Sequence, residues 1–235
     1  MNTLYVVPTP IGNIKDITQR AISTFSSTQT IICEDTRVTK KLFQLLKISI
    51  EGKTFFPFFS GQEDKRFIKV IELIESGNTI LVSDAGTPTI NDPGNKILNF
   101  VRNNLTDHIK IEVLPGANAP ITALVASGMP TDKFAYVGFL PKEQKARTAL
   151  LKTTQELNNI QKQTFIALES VHRITESLRD FQQIFLNEVK IALCRELTKM
   201  HEQVVLGNPE ELLKKLGSGE IAKKGEFTLV FELRQ

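Results

Sequence analysis

Short apolar runs alternate with amphipathic stretches through the first half of the chain. The apolar runs at residues 4–7, 30–33, 55–59, 79–82 and 109–114 predict buried strands. Between them, apolar residues at helical spacing predict a helix capped by Asp16 and further helices at 37–46, 63–75 and 120–126. Alternation of this kind is typical of βαβ units, so we expect a mostly parallel sheet.

The pattern breaks at residues 128–132, where a glycine, a proline and polar residues predict a domain boundary. Beyond it, strands are predicted at 134–139, 164–168, 189–193 and 227–233, together with a helix at 171–185. The sequence therefore predicts two α/β domains. The N-terminal domain, 1–131, has a mostly parallel sheet, and the smaller C-terminal domain, 132–235, has a mixed sheet.

Composition and charge narrow the class of protein. Hydrophobic residues make up 41% and charged residues 23%, which is typical of a soluble globular protein. The net charge of +3 permits an anionic partner without requiring one. Cys33 and Cys194 lie in apolar runs with no CxxC spacing, so we predict buried free thiols and neither zinc nor a disulfide. Without a signal-peptide pattern or a membrane-spanning run, we expect a cytoplasmic protein.

The loop that follows the predicted strand at 79–82 is the most informative stretch of the chain. Its eleven residues 84–94 contain two glycines, two prolines and two aspartates; the aspartates are Asp84 and Asp92. Asp92 is predicted to cap the next helix, with Pro93 at the first helical position. Loops at 8–13, 34–37 and 115–118 follow other predicted strands. In a parallel sheet all four loops open at the carboxyl edge, where ligands bind.

Several of these features also have structural interpretations. Taken alone, residues 34–37 are better explained as a helix N-terminus with favourable acids, and the pair Arg195–Glu196 as a structural salt bridge. The basic segment formed by Lys142, Lys145, Arg147 and Lys152 is interpreted either as a phosphate contact or, slightly better, as a solvated helix face. Residues 52–54 fail the P-loop pattern, and no GxGxxG motif is present.

Taken together and in this order, the motifs resemble the tetrapyrrole methylase family of S-adenosylmethionine-dependent methyltransferases. Within that family they are similar to the branch that modifies small-subunit ribosomal RNA. The resemblance runs from residue 4 to about residue 232 and rests on residues 6–13, 34–37, 83–88, 91–94, 115–116, 121–124, 138–141, 169–173, 195–199 and 224–226.

The resemblance implies a homodimer of two-domain subunits with S-adenosylmethionine in the interdomain cleft. The sulfonium of that donor is already a strong methylating group, so we expect no metal. The resemblance also implies 2′-O-methylation of a cytidine ribose in the decoding region of 16S rRNA. Because a chain of 235 residues offers limited surface for recognising folded RNA by its shape, we expect the dimer and an assembled small ribosomal subunit to be needed. Carried over by motif, the cofactor-binding residues are Pro8, Asp84, Ala85, Gly86, Thr87, Ile90, Asn118, Ala119, Leu168 and Cys194.

A ribose hydroxyl needs a base to accept its proton, and the charged residues at the loop ends supply candidates. The candidate catalytic residues are Glu34, Asp35, Glu169 and Glu196, and the candidate substrate-binding residues are Arg37, Arg173, Arg195 and Lys199. Two other functions stay open at this point. One is C-methylation of a tetrapyrrole, and the other is RNA binding without catalysis.

Overall fold

The computed structural model describes residues 1–59, 61, 63–92, 94–186 and 188–233, with the backbone alone at 63–65. In the first half, strands and helices alternate as the sequence predicts. The strands are β1 (Asn2–Val6), β2 (Thr30–Cys33), β3 (Thr54–Pro57), β4 (Thr79–Val82) and β5 (Ile109–Val113). The helices are α1 (Gln19–Ser27), α2 (Thr36–Leu45), α3 (Glu63–Ser76), α4 (Gly94–Asn104) and α5 (Ala119–Ser127).

The first five strands form one parallel sheet in the order β3-β2-β4-β1-β5. Side chains alternate between its two faces, so Ile31 and Ile80 pack in one apolar cluster while Ile32 and Leu81 pack in another. Burial on both faces explains why the strands are continuous apolar runs. The prediction of a mostly parallel N-terminal sheet is therefore confirmed.

The second half contains the strands β6 (Phe134–Phe139), β7 (Thr164–Ser170), β8 (Val189–Arg195), β9 (Gln203–Gly207) and β10 (Glu226–Leu233). Its helices are α6 (Gln144–Ile160), α7 (Ile174–Phe185) and α8 (Pro209–Ser218). The sheet order is β6-β7-β10-β8-β9, in which only the β6–β7 pair is parallel. This confirms the predicted mixed sheet, whose core includes Phe165, Phe181 and Phe231.

Some local predictions were wrong. Asp16 ends a short 3₁₀ turn, and Thr18 caps α1 instead, accepting a hydrogen bond from the Ala21 N–H at 3.0 Å. The chain is extended at Ile17, so the helix starts later than predicted. Strand β9 was not predicted, because its edge position leaves its residues only partly buried. The predicted placement of Pro93 lies outside the described residues.

The chain divides into two compact units, Met1–Asn118 and Ala119–Gln235. Helix α5 belongs to the second unit because it packs on β7, β8 and β10. The division between units thus precedes α5, whereas the sequence places the domain boundary after it, at 131 and 132. Of the described helices, none is both long enough and apolar enough to cross a membrane.

Candidate active site

Main-chain hydrogen bonds join the loops that follow β1 and β4. The N–H of Thr9 donates to the carbonyl of Gly86 at 2.9 Å, and the Gly86 N–H donates back to the Thr9 carbonyl at 3.0 Å. The Thr87 hydroxyl then donates to the carbonyl of Ala117, in the loop after β5, at 2.9 Å. Three loops at the carboxyl edge of the sheet are thereby held together, as the parallel topology predicts.

Two glycines let these loops approach closely. Gly86 has a φ of +83°, and a Cβ added there would lie 3.3 Å from Ile11. A Cβ at Gly116 would lie 2.5 Å from Cβ of Pro8, a distance that real side chains do not tolerate. The absence of a side chain at these two positions therefore lets the loops pack this closely.

The loop before α4 contains strained backbone. Thr89 and Asn91 have φ values of 78° and 69°. Positive φ is unusual for a β-branched residue such as Thr89. The Asp92 carboxylate accepts hydrogen bonds from the N–H groups of Thr89, at 2.6 Å, and Gly94, at 3.0 Å. These bonds close the turn in front of α4 and hold the strained conformation. Strain of this kind concentrates at ligand sites.

Glu34 and Asp84 lie at the ends of neighbouring strands, β2 and β4. The Asp84 carboxylate accepts the Asp35 N–H at 2.9 Å. Burial raises the pKa of Glu34, and the negative charge of Asp84 raises it further. Burial also raises the pKa of Asp84. A raised pKa makes a carboxylate a stronger base, so the direction of this shift favours Glu34 among the predicted bases, and its catalytic role stays a prediction.

Asp35 has a different role at the same strand end. Its side chain caps α2 by accepting the Arg37 N–H at 2.8 Å, and it forms an ion pair with the Arg37 guanidinium at 2.6 Å. Those hydrogen bonds lower the pKa of Asp35 to about 2, which makes its carboxylate a weak base. The Arg37 side chain is 89% exposed, so it can also meet a substrate phosphate.

In the second unit, the buried Glu169 forms an ion pair with the partly buried Arg173. The Glu169 carboxylate accepts hydrogen bonds from the Ser177 hydroxyl and from the Ser170 N–H at 2.6 Å. It also lies 2.7 Å from Nη2 of Arg173, whose Nη1 donates to the carbonyl of Leu140. This network fixes the chain, and the base and substrate-binding roles of the two residues stay predictions.

Arg195, Glu196 and Lys199 occupy the end of β8. The Arg195 guanidinium donates to the carbonyls of Lys224 at 2.7 Å and His201 at 2.8 Å, and it is buried. Glu196 has a φ of 51° and accepts from Nζ of Lys199 at 2.9 Å. The hydrogen bonds from Lys199 and from the Glu226 backbone hold the pKa of Glu196 below its usual value, against the effect of burial. Glu196 is therefore a weaker base than Glu34.

Two predicted cofactor residues lie in one row across the second sheet. Thr228 of β10 pairs with Leu168 of β7 on one side and with Cys194 of β8 on the other. Residues that pair directly present their side chains on the same face. Thr228 is buried and was not among the residues that the sequence predicts for the site.

The chain is similar to known proteins over nearly its whole length. The family model of tetrapyrrole (corrin/porphyrin) methylases matches residues 3–213. The chain belongs to this family. A relative from Hydrogenobaculum sp., named ribosomal RNA small subunit methyltransferase I, is 42% identical over 228 residues, covering 97% of this chain and 94% of its own. A relative of the same name from Halalkalibacterium halodurans is 41% identical, covering 98% of this chain and 75% of its own.

A solved structure shares the tetrapyrrole methylase fold. Uroporphyrin-III C-methyltransferase from Thermus thermophilus aligns with a TM-score of 0.62 and 19% identity, covering 98% of this chain and 94% of its own. At that identity the likeness shows the fold alone. The predicted family and the fold of two α/β sheets are thus confirmed, and we assign the chain to the methyltransferases.

Membership of the tetrapyrrole methylases implies S-adenosylmethionine as the methyl donor. The residues of the first unit fit this cationic donor in their chemistry. The carboxylates of Glu34, Asp84 and Asp92 supply negative charge in the loops that follow β2 and β4. The described residues include no cluster of three or more histidine, cysteine or acidic side chains that could hold a metal ion.

The two cysteines match their sequence prediction, whereas one arginine of the basic segment does not. Cys33 and Cys194 are buried and free, as predicted, and burial raises the pKa of their thiols to about 11 and about 12. The interpretation of the basic segment as a solvated face or a phosphate contact is wrong for Arg147. That side chain is buried in an ion pair with Asp180 at 2.6 Å.

Proposed function

We propose that this chain transfers a methyl group from S-adenosylmethionine to the ribose 2′-oxygen of a cytidine in 16S rRNA, as a homodimer acting on the small ribosomal subunit. The observation that carries the proposal is the 42% identity, over 97% of the chain, to a protein named ribosomal RNA small subunit methyltransferase I. The choice of a ribose oxygen of a decoding-region cytidine follows from the motif resemblance and is the finer part of the proposal.

The donor-binding residues are assigned by motif and supported by the local geometry. In the first unit they are Pro8, Asp84, Ala85, Gly86, Thr87, Ile90 and Asn118. In the second unit they are Ala119, Leu168 and Cys194, and we add Thr228 because it pairs with Leu168 and Cys194. When bound, S-adenosylmethionine supplies an electrophilic methyl group attached to a positively charged sulfur.

Glu34 is the residue we propose as the general base. Its carboxylate would accept the proton of the attacking ribose hydroxyl, which raises the nucleophilicity of that oxygen. Burial and the neighbouring charge of Asp84 raise the pKa of Glu34, so its affinity for a proton exceeds that of an exposed glutamate. The rest of the task is to hold the oxygen in line with the methyl carbon, which is a matter of orientation.

Arg37 is the substrate-binding candidate with the best access to RNA. Its side chain is 89% exposed while Asp35 orients the guanidinium. Arg173 and Arg195 donate instead to main-chain carbonyls of their own unit. We therefore propose that Arg37 contacts a phosphate and that the other two arginines support the chain around the site.

C-methylation of a tetrapyrrole is a second candidate function. The shared fold with the Thermus thermophilus uroporphyrin-III C-methyltransferase is the observation in its favour. Identity of 19% to that enzyme, against 41% to 42% over nearly the whole chain for the RNA methyltransferases, makes the RNA substrate the better supported choice.

The test is methyl transfer from labelled S-adenosylmethionine to small ribosomal subunits that lack their methyl modifications, followed by mapping of the modified nucleotide. We expect label on a decoding-region cytidine 2′-oxygen in assembled subunits and little label on a short RNA oligonucleotide. Glu51→Gln, an exposed acid in the same unit, is the control for Glu34→Gln. Label on uroporphyrinogen III and none on subunits would contradict the proposal and favour the second candidate.

A further inference from the structure

The end of β6 presents an aromatic side chain beside a predicted donor-binding residue. The register of the β6–β7 pair shifts between Tyr136 and Phe139, and Gly138 within this bulge has a φ of 75°. After the shift, Phe139 pairs with Leu168. Phe139 is 54% exposed, whereas the next residue, Leu140, is buried in the core of the unit. Bulges of this kind redirect side chains next to functional sites.

The loop that follows Phe139 is held by two arginines through its main-chain carbonyls. Nη1 of Arg173 donates to the carbonyl of Leu140 at 3.1 Å. Nη1 of Arg147 donates to the carbonyls of Pro141 at 3.1 Å and Lys142 at 3.0 Å. Three consecutive residues are therefore fixed from within the unit, and the side chains beside them are displayed on a rigid backbone.

Each of these arginines is anchored on a buried carboxylate. Arg173 pairs with Glu169, whose side chain has 0% exposure, and Arg147 pairs with Asp180, where both side chains have 3% exposure. Buried ion pairs contribute little net stability compared with apolar packing. Their use here is better explained by the geometry that they impose on the loop than by the stability they add.

The side chains displayed by this loop have the chemistry of a single-stranded RNA surface. Phe139, Lys142 and Lys145 are exposed; Lys142 lies in the loop before α6, and Lys145 lies in the first turn of that helix. Aromatic rings stack on unpaired bases, and lysines nearby contact the phosphates on either side. An acidic protein partner would use the lysines but would gain no stacking from Phe139.

We propose that Phe139, Lys142 and Lys145 form an RNA-contact surface, in which Phe139 stacks on an unpaired base and the two lysines bind flanking phosphates. This inference rests on the proposed function, because it names how the RNA substrate is held beside the methyl donor. Pairing of Phe139 with Leu168 places the stacked base next to the row that contains Leu168, Thr228 and Cys194.

The first test measures binding of a fluorescein-labelled ten-nucleotide oligocytidine RNA by fluorescence anisotropy. Phe139→Ala should weaken binding roughly tenfold, since stacking is worth about that much per base. Phe139→Trp should bind the RNA about as tightly as the wild-type chain because it keeps an aromatic face, whereas Phe139→Leu should bind as weakly as Phe139→Ala. Equal affinities for Phe139→Ala and the wild-type chain would overturn the stacking role.

The second test measures the salt dependence of the same binding. Lys142→Ala/Lys145→Ala should reduce the slope of log K against log salt by about 1.4, since each phosphate contact on a single strand contributes about 0.7. The matched control is Lys214→Ala/Lys223→Ala. Lys214 and Lys223 are also exposed lysines of the second unit. Lys214 lies on α8, and this helix packs on β8 and β9, which are at the opposite side of the sheet from β6. An equal effect of the two pairs would overturn the lysine assignment.

These outcomes separate the inference from the proposed function. If the wild-type chain methylates small subunits but the Phe139 and lysine variants bind oligocytidine normally, the inference fails and the function stands. If the wild-type chain methylates no RNA, the function fails whatever the oligocytidine binding shows. Binding of polyglutamate as tight as that of oligocytidine would indicate an acidic protein partner instead of RNA.

Discussion

Nζ of Lys53 lies 2.7 Å from the carbonyl oxygen of Thr28, the C-cap residue that follows helix α1. The same ammonium donates to the carbonyls of Phe25 at 2.8 Å and Ser26 at 3.1 Å. Helix C-termini leave carbonyls without partners inside the helix, and a cation there is favoured by the helix dipole. Lys53, within the residues 52–54 that fail the P-loop pattern, thus caps the C-terminus of α1.

Lys53→Met should destabilise the protein by about 2 kcal/mol, the order of magnitude for hydrogen bonds made by a charged group. The substitution keeps an apolar stem of similar length, so the lost carbonyl contacts dominate its effect. Chemical denaturation measures the change, and Lys41→Met on the exposed surface of α2 is the control. Equal stability of the two variants would contradict the capping role.

Glu34→Gln should lower kcat roughly 10²- to 10⁴-fold, the usual contribution of a general base. Binding of S-adenosylmethionine, measured by calorimetry, should persist because glutamine has nearly the same shape. Asp35→Asn should keep most of the activity, since asparagine still caps α2 and the low pKa of Asp35 makes it a weak base. The reverse order of activities would assign the base to Asp35.

Glu34→Gln should also alter the pH dependence of stability. The folded protein raises the pKa of Glu34 above its ordinary value of 4.5, so the free-energy cost of ionising the carboxyl in the folded state begins above pH 4.5 and is complete once the pH exceeds the raised pKa. Below pH 4.5 the carboxyl is protonated in both the folded and the unfolded chain, and this cost disappears. Thermal midpoints should therefore favour Glu34→Gln at neutral pH and converge with wild type in acid.

Arg147→Met should destabilise the protein by about 3–5 kcal/mol, because it leaves the buried Asp180 carboxylate without its cation. Arg147→Met/Asp180→Leu should recover much of that loss, since no charge then remains buried. A double-mutant cycle by denaturation, with Asp180→Leu as the second single variant, gives the coupling energy. Additive effects of the two substitutions would show that the pair does not interact.

The sequence predicts the sheets well because burial on both faces makes β2 and β4 continuous apolar runs with sharp limits. The observed strands Thr30–Cys33 and Thr79–Val82 have the predicted bounds. Strand β9 was missed because an edge strand is only partly buried and lacks that pattern. Sequence alone does not distinguish Asp16 from Thr18 as the cap of α1, because both residue types serve as caps. The extended backbone at Ile17, which makes Thr18 the cap, is set by tertiary packing.

The site was predictable only in outline. The loops after β1, β4 and β5 come together because the strands are parallel, which the alternation of elements already implies. The partners of individual charges depend on contacts between distant residues. Arg195 bonds to the carbonyl of Lys224 and Arg147 pairs with Asp180, and no local spacing distinguishes these arginines from the exposed Arg37.

The main-chain bridge between Thr9 and Gly86 has a consequence for engineering this fold. Because the two loops are joined through backbone atoms, the frame of the site does not depend on the side chains at Ala85 or Ile90, which are both exposed. Substitutions at these two positions should therefore change the exposed surface of the loop while the two backbone hydrogen bonds keep the loops joined.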